Sequence, residues 1–220
     1  MRAHEIISEI EVSPGITQVL QKKGYKRLGA GTDQLVFLEP GTGMVLKIFG
    51  TNSSMASHAG SNDLTFPQKT FVAFSKYCEK NPNNEFLPQF TGWETFEFNG
   101  RRYLQIRCER LFPGTKYSRW FEQLTNIADA ARRSYGPGGA KEYLEDLIDT
   151  EPADIYGPLL TLLGGEEGFQ QLWNTLYELS RIAYDNGFQL DLHSDNFMLG
   201  SDGHIVISDP FFSGWGKRDQ

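Results

Sequence analysis

Cysteine is scarce in these 220 residues: only Cys78 and Cys108 are present, with no paired spacing. There is no disulfide framework to read, and a reduced intracellular compartment, the cytoplasm, is the simple reading. Long apolar runs are missing too. No stretch is long enough to span a bilayer, and the opening segment, Met1-Arg-Ala-His-Glu-Ile-Ile-Ser-Glu-Ile10, is broken by charge, unlike a signal peptide. A basic surplus is also absent. Net charge is −7 and the pI about 5.2, which argues against broad binding to nucleic acid or an anionic membrane. His4, His58 and His204 have no ligand-like spacing, so no histidine metal site is expected, and no internal repeat is present. What the chain does have is a hydrophobic fraction of 39% and an aromatic fraction of 13%, which suit a folded globule. Its length allows one large domain or two small lobes.

Along the chain, Ser13-Pro14 has the form of an N-cap and first-turn proline, starting a short helix through Val19 and Leu20 that ends near Gly24. Residues 25–28, 35–38 and 45–49 read as strands, separated by the turn Gly29-Ala-Gly31 and by Pro40-Gly-Thr-Gly43. Residues 50–64 are small, polar and without periodicity, and read as a loop. Thr65 and Gln68 have capping-box spacing ahead of Phe71, Phe74 and Cys78, which predicts a helix ended by Asn81-Pro82. Trp93–Phe98 and Arg102–Cys108 flank Asn99-Gly100, a tight-hairpin signal. The second half reads as helical. Trp120, Phe121, Leu124, Ile127, Ala128 and Ala131 share a face up to Gly136-Pro-Gly-Gly139, a shorter helix covers Tyr143–Ile148, and a long one runs from Phe169 to Asn186-Gly187. Two short strands follow near 197–199 and 204–208.

Four short patterns carry chemistry. Asp191 lies five residues before Asn196, and Asp209 lies thirteen residues after it, at the end of an apolar run. Gly29 and Gly31 form a glycine turn followed by Val36, where glycine lets backbone N–H groups approach a phosphate. Lys47 is the single charge in Met44-Val-Leu-Lys-Ile-Phe49. Together these supply a base, two oxygen ligands for a divalent metal, a phosphate cover and a cation, the parts that phosphoryl transfer from ATP requires. Each has a plain alternative: an ordinary hairpin for the glycines, an edge-strand lysine for Lys47, and turn caps or a strand end for Asp191, Asn196 and Asp209. His193 either reaches the transferred phosphate or stiffens its loop by hydrogen bonds.

In this order the patterns resemble the protein-kinase-like superfamily, over about Lys26 to Phe211. Asp191-Leu-His193 with Asn196 is closer to the aminoglycoside, choline and lipopolysaccharide kinase branch, because ordinary protein kinases usually carry lysine where His193 stands. The resemblance implies an α+β fold of two lobes: an antiparallel-sheet N-lobe at 1–108, a hinge at 109–114 and a reduced helical C-lobe at 115–220, with ATP and Mg²⁺ in the cleft. It further implies that Asp191 and His193 are catalytic and that Asn196 and Asp209 hold Mg²⁺. Gly29, Gly31, Val36 and Lys47 would contact the nucleotide. The backbone of Glu109-Arg-Leu111 would bond the adenine, with Cys108 behind it.

The chain departs from that family in several places. Gln34 replaces a third glycine. The helix after Lys47 offers Gln68, Ser75 and Lys76 where a glutamate is usual, the nearest acids being Asp63 and Glu79. Gln189-Leu190 precede Asp191, and Pro210-Phe211 follow Asp209. The sequence given ends eleven residues after Asp209, which is similar to some minimal bacterial effector and phage-encoded kinases, made in or delivered to a host cell and completed by a partner protein. The leading expectation is transfer of the γ-phosphoryl group of ATP to a protein or small-molecule hydroxyl. The alternatives are a non-catalytic pseudokinase that binds a partner through the helical residues 115–165, and transfer of AMP to a hydroxyl. Phe211, Phe212 and Trp215 either form a patch for an activating protein partner or pack into the chain's own helical lobe.

Overall fold

The computed structural model describes residues 14–30, 34–50, 64–114, 117–151 and 153–212. Gly31, Ser13, most of the loop read at 50–64, and Trp215 lie outside the described residues, as does the side chain of Phe212. The chain divides into two compact units. One comprises the residues up to Ser75 together with Gln89–Arg110, and the other comprises Lys76–Pro88 and the residues from Leu111 onward. Residues 76–88, assigned to the first lobe by sequence position, thus group with the second unit. The α+β class expected from the sequence is observed: a five-stranded antiparallel sheet in the first half and a mainly helical second half. Among the described residues no helix is long and apolar enough to cross a membrane.

The first unit is built on strands β1 (Lys26–Ala30), β2 (Gln34–Leu38), β3 (Met44–Phe49), β4 (Phe90–Phe98) and β5 (Arg101–Glu109), in the order β1-β2-β3-β5-β4. The β4–β5 turn uses Asn99 and Gly100 with φ of 51° and 71°, the left-handed pair that a two-residue hairpin turn requires. Both strands run beyond the span read from sequence: in β4 a bulge at Gly92, with φ of 127°, absorbs the register shift and lets pairing resume at Phe90, while β5 gains Arg101 opposite Phe98 and Glu109 opposite Met44. Alternation gives the sheet two faces. Leu35, Phe37, Leu46, Ile48 and Tyr103 pack with Ile16 and Leu20 of helix α1 (Pro14–Lys22). Phe49, Leu104 and Ile106 pack with Phe71 and Val72 of helix α2 (Phe66–Lys80). The Thr65–Gln68 spacing acts as read: Gln68 Oε1 accepts the Thr65 N–H at 2.9 Å.

In the second unit, helix α3 (Ser118–Ala130) buries Phe121, Leu124, Ile127 and Ala128 and passes into a π-helical turn at Ala131–Tyr135. Gly136 breaks that turn, and its carbonyl accepts the Trp173 indole N–H at 2.9 Å. Helices α4 (Ala140–Thr150), α5 (Ala153–Leu162) and α6 (Gly165–Asn186) follow. Gly187, at φ 68°, closes α6: its N–H reaches Tyr184 O, and the Phe188 N–H reaches Ala183 O. This double bond pattern ends the helix and turns the chain toward Asp191. Small sheets complete the unit. Strand β6 (Phe112–Pro113) pairs with β8 (Phe197–Leu199), which pairs with β9 (Ile205–Ile207), and β7 (Gln189–Leu190) pairs with β10 (Phe211–Phe212). Of the two alternatives for the tail rings, Phe211 takes the second: it is buried, with its ring 5.7 Å from that of Phe188.

One ionic latch spans the α1 face of the sheet. Glu39 accepts from Thr42 Oγ1 at 2.7 Å, from Arg107 Nε at 2.9 Å and from Tyr25 Oη at 3.3 Å, and it also pairs with Arg107 Nη2. The Thr42 hydroxyl first, then Arg107, holds the Glu39 carboxyl below its ordinary range. A carboxyl depressed in the folded state stabilises the fold above its unfolded pKa, and that contribution is lost as pH falls through the folded pKa. The stability difference between wild type and Glu39→Gln should therefore be largest at neutral pH and shrink on acidification, measured by urea denaturation at several pH values. A difference independent of pH would contradict the latch.

Candidate active site

In the first unit, cross-strand register collects the sequence candidates into one row. Gly29 on β1 faces Val36 on β2, Val36 faces Lys47 on β3, Lys47 faces Ile106 on β5, and Ile106 faces Trp93 on β4. The row lies on the α2 face, because its neighbours Leu35, Phe37, Leu46 and Ile48 all point to α1. A Cβ built on Gly29 would meet no atom within 4 Å, so this end of the row is open to a ligand. A cavity of about 530 Å³ is lined by Leu20, Tyr25, Glu39, Leu46, Gln105 and Arg107 among others, and of the Lys47 row only Trp93 borders it.

Lys47 is half-buried, with Nζ 5.3 Å from the centroid of the Phe71 ring. Among the described residues no carboxylate forms an ion pair with it. Gln68, near the position where an acid is usual, is engaged at both ends, accepting from Thr65 and donating Nε2–H to Phe49 O at 3.4 Å. Cys108 is buried on the same sheet, and burial pushes its thiol pKa up, against the opposing effect of Lys47. Glu109 ends β5 opposite Met44. Its N–H donates to Gln89 O and its Oε1 accepts the Gln89 N–H, each at 2.9 Å, so its backbone N–H is already engaged. Leu111 is half-buried and begins the second unit's continuous run.

In the second unit, the loop that starts at Asp191 and the segment around Asp209 are laced together. The Asp191 N–H donates to Pro210 O at 2.8 Å, one residue beyond the β7–β10 pairing. The Ser208 N–H donates to Asn196 O at 2.8 Å, one residue beyond the β8–β9 pairing, and Ser208 Oγ donates to the same oxygen at 3.2 Å. Both residues flanking Asp209 are therefore bonded to the loop, one at each end of the Asp191–Asn196 span. Within the loop, Asn196 Nδ2 donates to Asp191 O at 2.6 Å. That bond fixes the amide: the nitrogen faces inward, and Oδ1 is the atom left to meet a cation.

His193 is exposed and caps the short 3₁₀ turn Ser194–Asn196, its Nδ1 accepting the Asp195 N–H at 3.3 Å. Its Nε2 lies 3.7 Å from Asp191 Oδ2. The contacts described for His193 are all within its own loop. Among the described residues no group of three or more His, Cys, Asp or Glu could hold a metal. The Asn196 amide oxygen and the Asp209 carboxylate are hard oxygen donors of the kind Mg²⁺ takes, in the small number it needs when phosphates complete its shell. Sequence reasoning missed Phe71, Ser208 and Pro210. Phe71 was visible only as a core position, and the other two act through backbone or short-range bonds that leave no signature.

No family model matches the chain, and no curated protein does. Among solved structures the chain is similar to a MAP kinase from Leishmania major, at 13% identity and a TM-score of 0.34, over 89% of this chain and 49% of that one. The chain thus spans about half the length of that protein.

The amide bond across the loop yields an ordered pair of expectations. Asn196→Ala removes a donor and should cost about 1 kcal/mol of stability, with faster hydrogen exchange at the Asp191 and Ser208 amides. Asn196→Asp sets a second acceptor against the Asp191 carbonyl and should cost more. Urea denaturation with exchange measured by mass spectrometry checks the order, and a harmless Asn196→Asp would contradict it.

Proposed function

We propose that the protein is an ATP-dependent phosphotransferase of protein-kinase-like fold, acting in the cytoplasm on the hydroxyl of a protein or small molecule. The observation that carries this reading is the lacing around Asp209: Ser208 bonded to Asn196, and Pro210 bonded to Asp191. One backbone frame then holds an acceptor-side carboxylate and an oxygen pair suited to a divalent cation, the combination phosphoryl transfer uses.

In this reading Asp191 orients the acceptor hydroxyl and takes its proton as the new oxygen–phosphorus bond forms and the bond to ADP breaks. His193 caps the turn with its Nε2 3.7 Å from the Asp191 carboxylate, and would keep the loop that carries that carboxylate in place. Mg²⁺, held by Asn196 Oδ1 and Asp209, would neutralise charge on the phosphate oxygens. Lys47 is the cation for the phosphates, and Gly29, Gly31 and Val36 cover the nucleotide. The backbone of Glu109-Arg-Leu111 bonds the adenine.

A second reading is favoured by Lys47, which among the described residues lies over a ring and forms no ion pair with an acid. The chain would then be a non-catalytic module that binds a partner through residues 115–165, with AMP transfer as a third possibility. ATP labelled separately at the α and γ phosphates, incubated with the full chain, Mg²⁺ and cell extract as a source of acceptors, separates them. The γ label should transfer, and Asp191→Asn should lower transfer by about a hundredfold or more while leaving ATP affinity unchanged. Transfer of the α label, or of neither, would overturn the proposal.

A further inference from the structure

The Lys47 contact carries a more specific conclusion, which rests on the phosphotransfer reading. We infer that Phe71 positions Lys47 for a polyphosphate through the face of its ring, in the place where an acidic residue would otherwise hold it. The Lys47 Nζ lies over the Phe71 ring at 5.3 Å from its centroid, within the ~6 Å range of an effective cation–π contact. The ring cannot easily turn away. Phe71 is 6% exposed, its centroid is 4.3 Å from that of Phe49, and Val72, Leu104 and Ile106 pack in the same cluster.

The same face of α2 has no competing polar group to offer. Gln68, one turn before Phe71, is committed to Thr65 and Phe49, and Ser75, one turn after it, donates to Val72 O at 3.1 Å. The helix therefore presents a ring to Lys47 where a carboxylate would be usual. The chemical consequence differs from that of an ion pair. A carboxylate cancels the ammonium charge and accepts one of its hydrogens. A ring face attracts the ammonium through its quadrupole, leaves the full charge in place and accepts no conventional hydrogen bond. All three N–H donors of Lys47 stay available to phosphate oxygens. Such a lysine suits a ligand with several negative oxygens close together, as in a nucleoside triphosphate with its bound cation.

The test replaces Phe71 in the full chain by its mono-, di- and trifluorinated analogues, which withdraw ring electron density with little change of shape. ATP affinity in the presence of Mg²⁺ is read by calorimetry and stability by urea denaturation. Affinity should fall stepwise, by about tenfold across the series, with stability unchanged. In a Lys47→Met background the same series should be flat. Wild-type ATP binding with a flat fluorination series would overturn the positioning role and leave the phosphotransfer reading standing. A series that falls equally in the Lys47→Met background, or in step with stability, would likewise overturn it. Failure of the wild-type chain to bind ATP would overturn both.

Discussion

The candidate chemistry depends on two backbone hydrogen bonds, Asp191 N–H to Pro210 O and Ser208 N–H to Asn196 O. Each extends a ladder too short to be stable alone: β7–β10 pairs two residues, and β8–β9 pairs three. Side chains make up the deficit. Phe211 is buried against Phe188, Phe197 and Ile207 are buried across from each other, and the Ile207 N–H donates to Phe86 O at 2.9 Å, tying β9 to the 76–88 segment. The 76–88 segment is in turn fixed to α6 by Asn84 Nδ2 donating to Thr175 Oγ1 at 2.7 Å. Asp191, Asn196 and Asp209 are thus set by the core of the second unit, although all three sit in or beside loops.

The first unit solves a different problem, holding a charged side chain on a sheet whose two faces are both covered. β3 has buried residues on either side of Lys47, so the ammonium needs a partner that survives partial desolvation. Phe71 provides attraction without neutralisation. The Glu39–Arg107 latch on the other face ties the end of β2 to β5, the strands on either side of β3.

Local chemistry was legible in the sequence wherever it acts over a few residues. Asn99-Gly100 needs positive φ at both positions, Gly187 needs it once, and Thr65 with Gln68 forms a cap, and all three behave as their spacing implies. The row Gly29–Val36–Lys47 could be anticipated as spacing but not as register, because the bulge between Arg27 and Gly29 decides which residues face each other. α5 left a weak signal: its apolar residues give no clean polar face, and Pro158 sits inside it. The Lys47–Phe71 and Glu39–Arg107 contacts join residues 24 and 68 positions apart, where no local pattern reaches. The engagement of the Glu109 amide by Gln89 is similarly invisible until β4 and its approach are placed.

The central claim is that the lacing around Asp209 makes a place for a divalent cation carrying a nucleotide. Calorimetric titration of ATP into wild type and Asp209→Ala, each with and without Mg²⁺, tests it most directly. The wild-type chain should bind ATP more tightly with Mg²⁺ than without, and Asp209→Ala should abolish that difference while the chain stays folded. Equal affinity in all four titrations would contradict the account.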